Sequence, residues 1–266
     1  MSEVLRLDRT GADGRLAHVT LARPEVRNAF NAELIAALHR TFVELAAEPV
    51  DRLRAVVLAG EGTTFSAGAD IAWQRAAMEL LMEDNEADAG RLQAMLEAID
   101  TCPVPVVVRV QGAALGGGMG LCSVADVVLA EASAIFGFTE TKLGILPAVI
   151  SPFVLARIGE GPARALFMTG ERFGAERALG IGLVHEVLPD LAALDERVEA
   201  VLAELASSGP TAVREAKAVI RAAREMGNEA FRRHTVHIAA RQRVSDEGQE
   251  GLRAFLDKRK PEFKGR

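Results

Sequence analysis

Only two cysteines, Cys102 and Cys122, occur in the 266 residues. That is too few for a disulfide scaffold or a zinc framework, and each reads as a thiol in or near the core. No histidine, cysteine and carboxylate cluster has metal-ligand spacing, so no metal site is expected. The sequence also lacks an apolar run of the roughly 18 residues that a membrane span needs. Its start, Met1-Ser2-Glu3, has no basic-then-apolar signal pattern, so a cytoplasmic protein that does not engage a membrane is the expectation. Nor is there a long Lys/Arg stripe with interleaved aromatics. With 31 Lys+Arg against 37 Asp+Glu the net charge is −6, which argues against a nucleic-acid partner or an anionic surface.

Four familiar chemistries are missing as motifs. The glycines do not fall in the GxGxxG spacing of a dinucleotide site, nor end in the Lys-Ser/Thr of a phosphate loop. Ser66 lacks the GxSxG setting of a nucleophile elbow, and no paired carboxylates are evident.

What is present is a chain with 49% hydrophobic and 26% charged residues, able to bury a full core as one large domain or a domain with an appendage. Residues 3–8 and 16–21 read as a hairpin around the turn Thr10-Gly11-Ala12-Asp13-Gly14. After Asn31, the residues Leu34, Leu38, Phe42 and Leu45 recur at helical spacing and make one apolar stripe. Residues 55–59, 104–110 and 126–130 are short apolar runs of the kind buried on both faces of a sheet covered by helices. Residues 80–88 are charged and weakly patterned, a solvated helix or loop or a mobile lid, and residues 92–99 mark a separate helix. Strand and helix alternate, which predicts an α/β core. From Leu191 the chain is helical to its end, and such an appendage must bury its apolar face on the core or on another subunit.

The stretch from Gln111 to Leu121 stands out, with Gly112, Gly116, Gly117, Gly118 and Gly120 entering a helix. Glycine inside a helix costs roughly 1 kcal/mol relative to alanine, so the cluster needs a reason. Either the bare backbone offers amide N–H groups to an anionic or enolate-like oxygen, or it permits close helix–sheet packing. Residues 65–71, Phe-Ser-Ala-Gly-Ala-Asp-Ile, are a second passage of small residues before a helix that carries Trp73. Glu140 lies among apolar residues and glycines, where a carboxylate needs either an ion-pair partner or a proton-transfer task. Two amide-rich passages and one embedded glutamate are the minimum for enolate chemistry beside a carbonyl.

These residues carry a resemblance. Arg23-Pro24 through Phe30, Ser66 through Ile71, Gln111 through Gly118, Phe136 through Pro147, Gly170 through Val184 and Phe255 through Arg259 stand in the order and spacing of the crotonase, or enoyl-CoA hydratase/isomerase, superfamily. Residues 69–73 and 139–153 are most similar to members that hydrate 3-methylglutaconyl-CoA or related branched enoyl-CoAs. The resemblance implies a crotonase-like spiral of ββα units over residues 1–200. It also implies a helical oligomerisation region over residues 201–266, building a homotrimer or a dimer of trimers. It implies that the amides of Ala69 and Gly117 hold the thioester oxygen of an acyl-CoA, coenzyme A being the substrate carrier and no cofactor being bound permanently. By the same analogy Arg27, Asn28, Ala29 and Ala67 lie along the coenzyme A nucleotide, with Phe255 and Lys258 reaching it from a neighbouring subunit. The acyl pocket is expected to be lined from the passages 73–92 and 143–153, with Trp73, Gly120, Leu143 and Pro147 as the named substrate-pocket positions.

One departure matters. Hydratases of the family that use two glutamates carry the first at the position of Gly120 and the second at Glu140, so only the second is present here. Hydration with Glu140 handling the α-carbon proton, isomerisation of the double bond with Glu140 as a shuttle, and a noncatalytic acyl-CoA-binding or RNA-binding role all stay open. The arginines between 221 and 243 alternate with glutamates at helical spacing, which suits a solvated or subunit-facing surface better than RNA.

Overall fold

In the computed structural model, which describes residues 4–263, strand alternation sorts the buried residues between the two faces of one sheet. Strands β1 (Leu5–Thr10) and β2 (Leu16–Leu21) form the expected antiparallel hairpin, with Leu5 opposite Leu21 and Thr10 opposite Leu16. Glu3, also assigned to that hairpin from the sequence, lies outside the described residues. Then come α1 (Ala32–Ala46), whose start is capped where Asn31 accepts from the Leu34 amide at 2.9 Å, and β3 (Ala55–Gly60). Next are α2 (Ile71–Ala77), α3 (Met82–Asp100), β4 (Val106–Val110), β5 (Ala113–Leu115) and α4 (Gly117–Val124). The order β1-β2-β3-β4 is completed by β6 (Val127–Glu131) and, further on, β9 (Glu186–Leu188), giving a six-stranded sheet that is parallel after its first pair.

On one face of that sheet Val56, Leu58, Val106, Val108 and Val128 join the main core. On the other, Ala55, Val57, Val107 and Leu129 pack under Leu194, Val198 and Leu202 of α8 (Leu191–Ser207). Adjacent residues point to opposite faces of a strand, so continuous apolar runs are required wherever both faces are covered. The textural boundary read near residue 200 falls inside α8, which belongs to the sheet layer as firmly as any strand.

A second, three-stranded sheet joins β5 to β7 (Ile135–Gly137) and β8 (Arg172–Gly174). Helices α5 (Ser151–Ile158), α6 (Glu160–Thr169) and α7 (Ala175–Gly180) surround it in sequence. Strands this short, set among glycines, leave no periodic signature, and the sequence reading passed over β5 and β8. Residues 80–88 and 92–99, read as separate, are mostly one helix, α3, because Leu92, Met95, Leu96 and Ile99 anchor turns that carry the charged segment with them.

The remaining helices are α9 (Pro210–Glu225), α10 (Asn228–Val244) and α11 (Asp246–Leu256). Lys217 ties α9 to the core through Asp126 at 2.6 Å, whereas α10 buries none of its residues.

The turn from β4 into β5 depends on Gly112, at φ +64°, where an added Cβ would stand 1.9 Å from the Thr63 carbonyl oxygen. Neither the conformation nor the space suits a side chain. Gly112→Ala is expected to destabilise by on the order of 3 kcal/mol, lowering Tm by roughly 6 °C or more. An unchanged thermal transition would show that the turn relaxes freely.

Candidate active site

Two backbone passages meet where the glycine-rich stretch enters α4. Ser66 pairs with Ala114 in a parallel bridge, the Ser66 amide donating to the Ala113 carbonyl and the Leu115 amide to the Ser66 carbonyl, both at 3.0 Å. The same loop pairs with the chain before α1 through a bridge between Phe30 and Ala69. There the Phe30 amide donates to the Gly68 carbonyl at 2.6 Å, and the Asp70 amide to the Phe30 carbonyl at 2.8 Å. Those bonds use the neighbours of Ala69 and leave its own N–H turned the other way. Gly117 opens α4, so its N–H has no intrahelical partner either. Both residues line one cavity of about 240 Å³.

The loop that carries Ala69 is held firmly. Asp70 caps α2 through the Ala72 amide at 2.8 Å and takes a 2.9 Å bond from Arg23. Burial opposes ionisation of its carboxyl, but Arg23 and the Ala72 amide outweigh burial and hold its pKa below the usual range. Asn28 is fully buried, accepting from the Arg23 amide and donating to the carbonyls of Glu61 and Thr64.

Glu140 enters the same cavity from a single 3-10 turn, Thr139–Leu143, that ends on Gly144. Its Oε1 lies 3.3 Å from where a Cβ on Gly116 would stand, and Gly116 itself has φ +48°. The absent side chain at Gly116 is therefore room for the carboxylate. Glu140 Oε2 is buried and has no hydrogen-bond partner among the described residues. Burial pushes the Glu140 pKa up, against a smaller lowering by its own backbone amide. No cation offsets it, so the ion-pair alternative raised by the sequence does not describe this residue. The glycine cluster permits close packing, since a Cβ at Gly117 would sit 2.7 Å from the Phe30 ring, and Gly117 also lines the cavity.

The cavity walls are mostly apolar. Trp73, Ala77, Leu92, Ile145, Leu146, Pro147 and Ile150 contribute, with Phe30 at the amide end. Two of the expected pocket positions, Trp73 and Pro147, are among them, and two are not. Leu143 is 64% exposed and points away, because the 3-10 turn ends before the wall formed by residues 145–150 begins. Gly120 is buried behind that wall, where an added Cβ would lie 2.7 Å from Ile150 Cγ2 and 3.4 Å from Leu96 Cδ2. The volume a side chain at residue 120 needs is occupied by Ile150.

The positions assigned to coenzyme A are spread apart. Arg27 and Asn28 both have φ of 54°, and the Arg27 carbonyl accepts from the Ala67 amide at 2.9 Å, so 27–29 and 67 form one rim. Asn28 can contribute only backbone there, since its side chain is spent on loop carbonyls. Phe255, 80% exposed, is on α11, and Lys258 lies just beyond it, a part of the chain that packs on α9 and α10 and not on the cavity. Asn85, Asp88 and Ile150 line the cavity from within the two passages that the sequence reading named, 73–92 and 143–153, whereas it missed Phe30 as a wall residue. Asp88 had a signal: it precedes Leu92 and Leu96 by four and eight residues on the apolar face of α3.

A larger cavity, about 500 Å³, lies beneath α9 around Asp126, Lys217 and Arg157. Three of its polar groups are engaged in holding the chain: Lys217 bonds Asp126, and Arg157 donates to the carbonyls of Ser123 and Ala125. Among the described residues no group of His, Cys, Asp and Glu could hold a metal ion, and no helix is long and apolar enough to cross a membrane.

The cavity thus brings Ala69, Gly117 and the buried Glu140 together among apolar walls. The family description enoyl-CoA hydratase/isomerase matches residues 11–266. The chain belongs to that family. Pseudomonas aeruginosa AtuE is 37% identical in sequence with a TM-score of 0.93, over 97% of this chain and 98% of that one. A Shewanella pealeana enoyl-CoA hydratase is 34% identical with a TM-score of 0.90, over 98% and 96% of the two chains. The Escherichia coli 2,3-dehydroadipyl-CoA hydratase is 33% identical over 254 residues, 95% of this chain and 96% of its own. The fold is thus the crotonase spiral with a helical C-terminal region, and the protein is a crotonase-family enzyme.

The conflict at Gly120 is testable. Gly120→Glu is expected to destabilise by about 1–3 kcal/mol through overpacking against Ile150. The double variant Gly120→Glu with Ile150→Ala should recover part of that loss. Equal stability of the two variants in denaturant titrations would place the new side chain elsewhere.

Proposed function

We propose that the protein hydrates the α,β double bond of an acyl-CoA thioester. The observation that carries this reading is Glu140 Oε2, buried and unpartnered in the wall of the cavity that the Ala69 and Gly117 amides face. In the proposed reaction those amides donate to the thioester oxygen and draw electron density from the β-carbon. Water adds there, and Glu140 takes its proton as the carbon–oxygen bond forms. The resulting enolate is held by the amides until Glu140 returns the proton to the α-carbon. One water is consumed, and the carboxylate ends as it began. A carboxyl whose pKa is raised by burial suits both halves, since the same group must accept and then release a proton near neutral pH.

The sealed position at Gly120 favours a second reading, in which Glu140 moves a proton between the α and γ carbons and no water enters. Incubation with crotonyl-CoA in deuterated water separates the two. Hydration gives product heavier by one water with deuterium at the α-carbon, whereas double-bond migration or exchange without water uptake selects the isomerase. In either case Glu140→Gln is expected to lower turnover by about 10²–10⁴, and wild-type turnover in that variant would remove the proton-transfer role.

Glu140 also makes a stability prediction. Its folded pKa lies above its unfolded one, so the folded state binds the proton more tightly. The stability this supplies is complete below the unfolded carboxylate range and is lost as pH rises through the folded pKa. Glu140→Gln abolishes that loss. The variant is expected to melt above the wild type near about pH 8 and to converge with it near about pH 4; a constant difference across that range contradicts the sign.

We take the acyl group to be short and branched, with Trp73 as one wall, 3-methylglutaconyl-CoA being the branched candidate that resemblance supplies. Arg27, Ala29 and Ala67 are proposed to line the coenzyme A nucleotide through their rim, with Asn28 contributing backbone. Phe255 and Lys258 are proposed to complete that subsite from an adjacent subunit of a homotrimer or dimer of trimers. The exposed Val236, Phe255 and Leu256, together with an α10 that buries nothing within its own chain, support such an assembly. We assign the enzyme to the cytoplasm.

A further inference from the structure

The acyl cavity has a polar feature that the proposed chemistry does not use. Asp88 is 8% exposed and lines the cavity beside Leu92 and Ala89. Its Oδ1 accepts a 2.6 Å bond from Arg91, whose side chain is 56% exposed and lies outside the cavity lining. No bond within the described residues engages Oδ2. One turn earlier Asn85 also lines the cavity, and its amide nitrogen is directed to the carbonyls of Ala77, Leu80 and Leu81. What Asn85 can offer a ligand is therefore its oxygen. Among the described residues no lysine or arginine lines this cavity, and its charged side chains are Glu140 and Asp88 alone.

Helix geometry says which end of the substrate Asp88 meets. Leu96 touches the Gly120 position, and Asp88 precedes it by eight residues on the same face, about 12 Å along the axis. Asp88 thus lines the cavity about two turns along α3 from the Gly120 end, the part left to the far end of the acyl chain in the proposed binding mode. A distal carboxylate there would meet Asp88, whose cation partner, Arg91, lies outside the cavity lining and is already bonded to it, so like charges would oppose each other. A hydroxyl would find an acceptor.

We infer that Asp88 is a specificity-determining residue that excludes acyl chains ending in a carboxylate and favours chains with a hydrogen-bond donor at the far end. The inference rests on the acyl-CoA reading above and narrows it: 3-methylglutaconyl-CoA, which ends in a carboxylate, becomes a poor substrate. Asp88 acts on binding, so the test needs no turnover.

Affinities of the full-length protein for three saturated five-carbon thioesters, valeryl-CoA, 5-hydroxyvaleryl-CoA and glutaryl-CoA, are measured by calorimetry. The expected order places glutaryl-CoA about 10²-fold weaker than valeryl-CoA, with 5-hydroxyvaleryl-CoA at least as tight as valeryl-CoA. Asp88→Asn should shrink the glutaryl penalty at least about tenfold while leaving valeryl-CoA nearly unchanged. Glutaryl-CoA binding as well as valeryl-CoA in the wild type, or an unaltered ratio in a folded Asp88→Asn protein, overturns the role of Asp88 and leaves the acyl-CoA reading intact. Failure of all three thioesters to bind overturns both.

Discussion

The parallel bridge between Ser66 and Ala114 locks together two loops that are distant in sequence, and the proposed oxyanion site depends on that lock. With the Ser66 amide on the Ala113 carbonyl and the Leu115 amide on the Ser66 carbonyl, the chain at 66–70 cannot shift relative to the entry of α4 without losing backbone bonds. Ser66 Oγ adds a bond to the Asn28 carbonyl at 3.0 Å, and Asn28 in turn fixes the loop at 61–64. Rigid placement matters because an amide dipole stabilises developing charge only if it is aimed beforehand and need not reorganise during the reaction. The ladder of small residues follows from the same requirement. A Cβ on Gly68 would approach the Leu115 carbonyl oxygen to 2.8 Å, so the two strands could not come this close with larger residues.

Glu140 shows the opposite economy. Elsewhere the chain satisfies its buried charge, as Asp70 does with Arg23 and Asp126 with Lys217. Glu140 is left with one oxygen unpartnered, in a turn whose Thr141 hydroxyl is also buried and unpaired. A group in that state destabilises the fold whenever it is ionised. The surrounding wall of Ile145–Ile150 and α4 must hold it in place, and those residues are supported by the main core through Ile150 and Val154. In the proposed reaction this apolar packing keeps one carboxyl ready to exchange a proton.

Much of this was legible in the sequence, and the limits have physical causes. Continuous runs such as Val104–Val110 reveal a doubly covered sheet because both faces need apolar side chains, and the capped start at Asn31 reveals α1. Glu140 was conspicuous because a carboxylate in an apolar, glycine-rich passage has no cheap explanation. Order along the chain, however, does not report side-chain volume across it. That Ile150 fills the space beside Gly120 depends on two residues 30 positions apart meeting in three dimensions, and the sequence could show only the missing side chain. Leu143 failed as a pocket residue for a related reason: a 3-10 turn rotates successive side chains differently from a helix or strand, so neighbours of Glu140 need not share its direction. The passage that holds Asp88 was read as a pocket wall or lid, but the charged segment around it does not single out Asp88 until α3 is known to be continuous.

The absence of a cation from the cavity bears on how one carboxylate can suffice. If the thioester oxygen gained charge while Glu140 stayed ionised, the enclosure would hold two adjacent negative groups against amide dipoles alone, with Asp88 engaged by Arg91 further off. In the proposed hydration the charges do not accumulate. As water adds to the β-carbon, its proton neutralises Glu140 at the moment the enolate forms, so negative charge moves from the carboxylate to the oxygen facing Ala69 and Gly117. The apolar wall that raises the energy of ionised Glu140 favours this transfer, and the two amides receive the charge where it arrives. A second carboxylate at residue 120 would add repulsion to an enclosure with nothing to offset it. Ile150 in that space is therefore consistent with chemistry run through a single acid–base group.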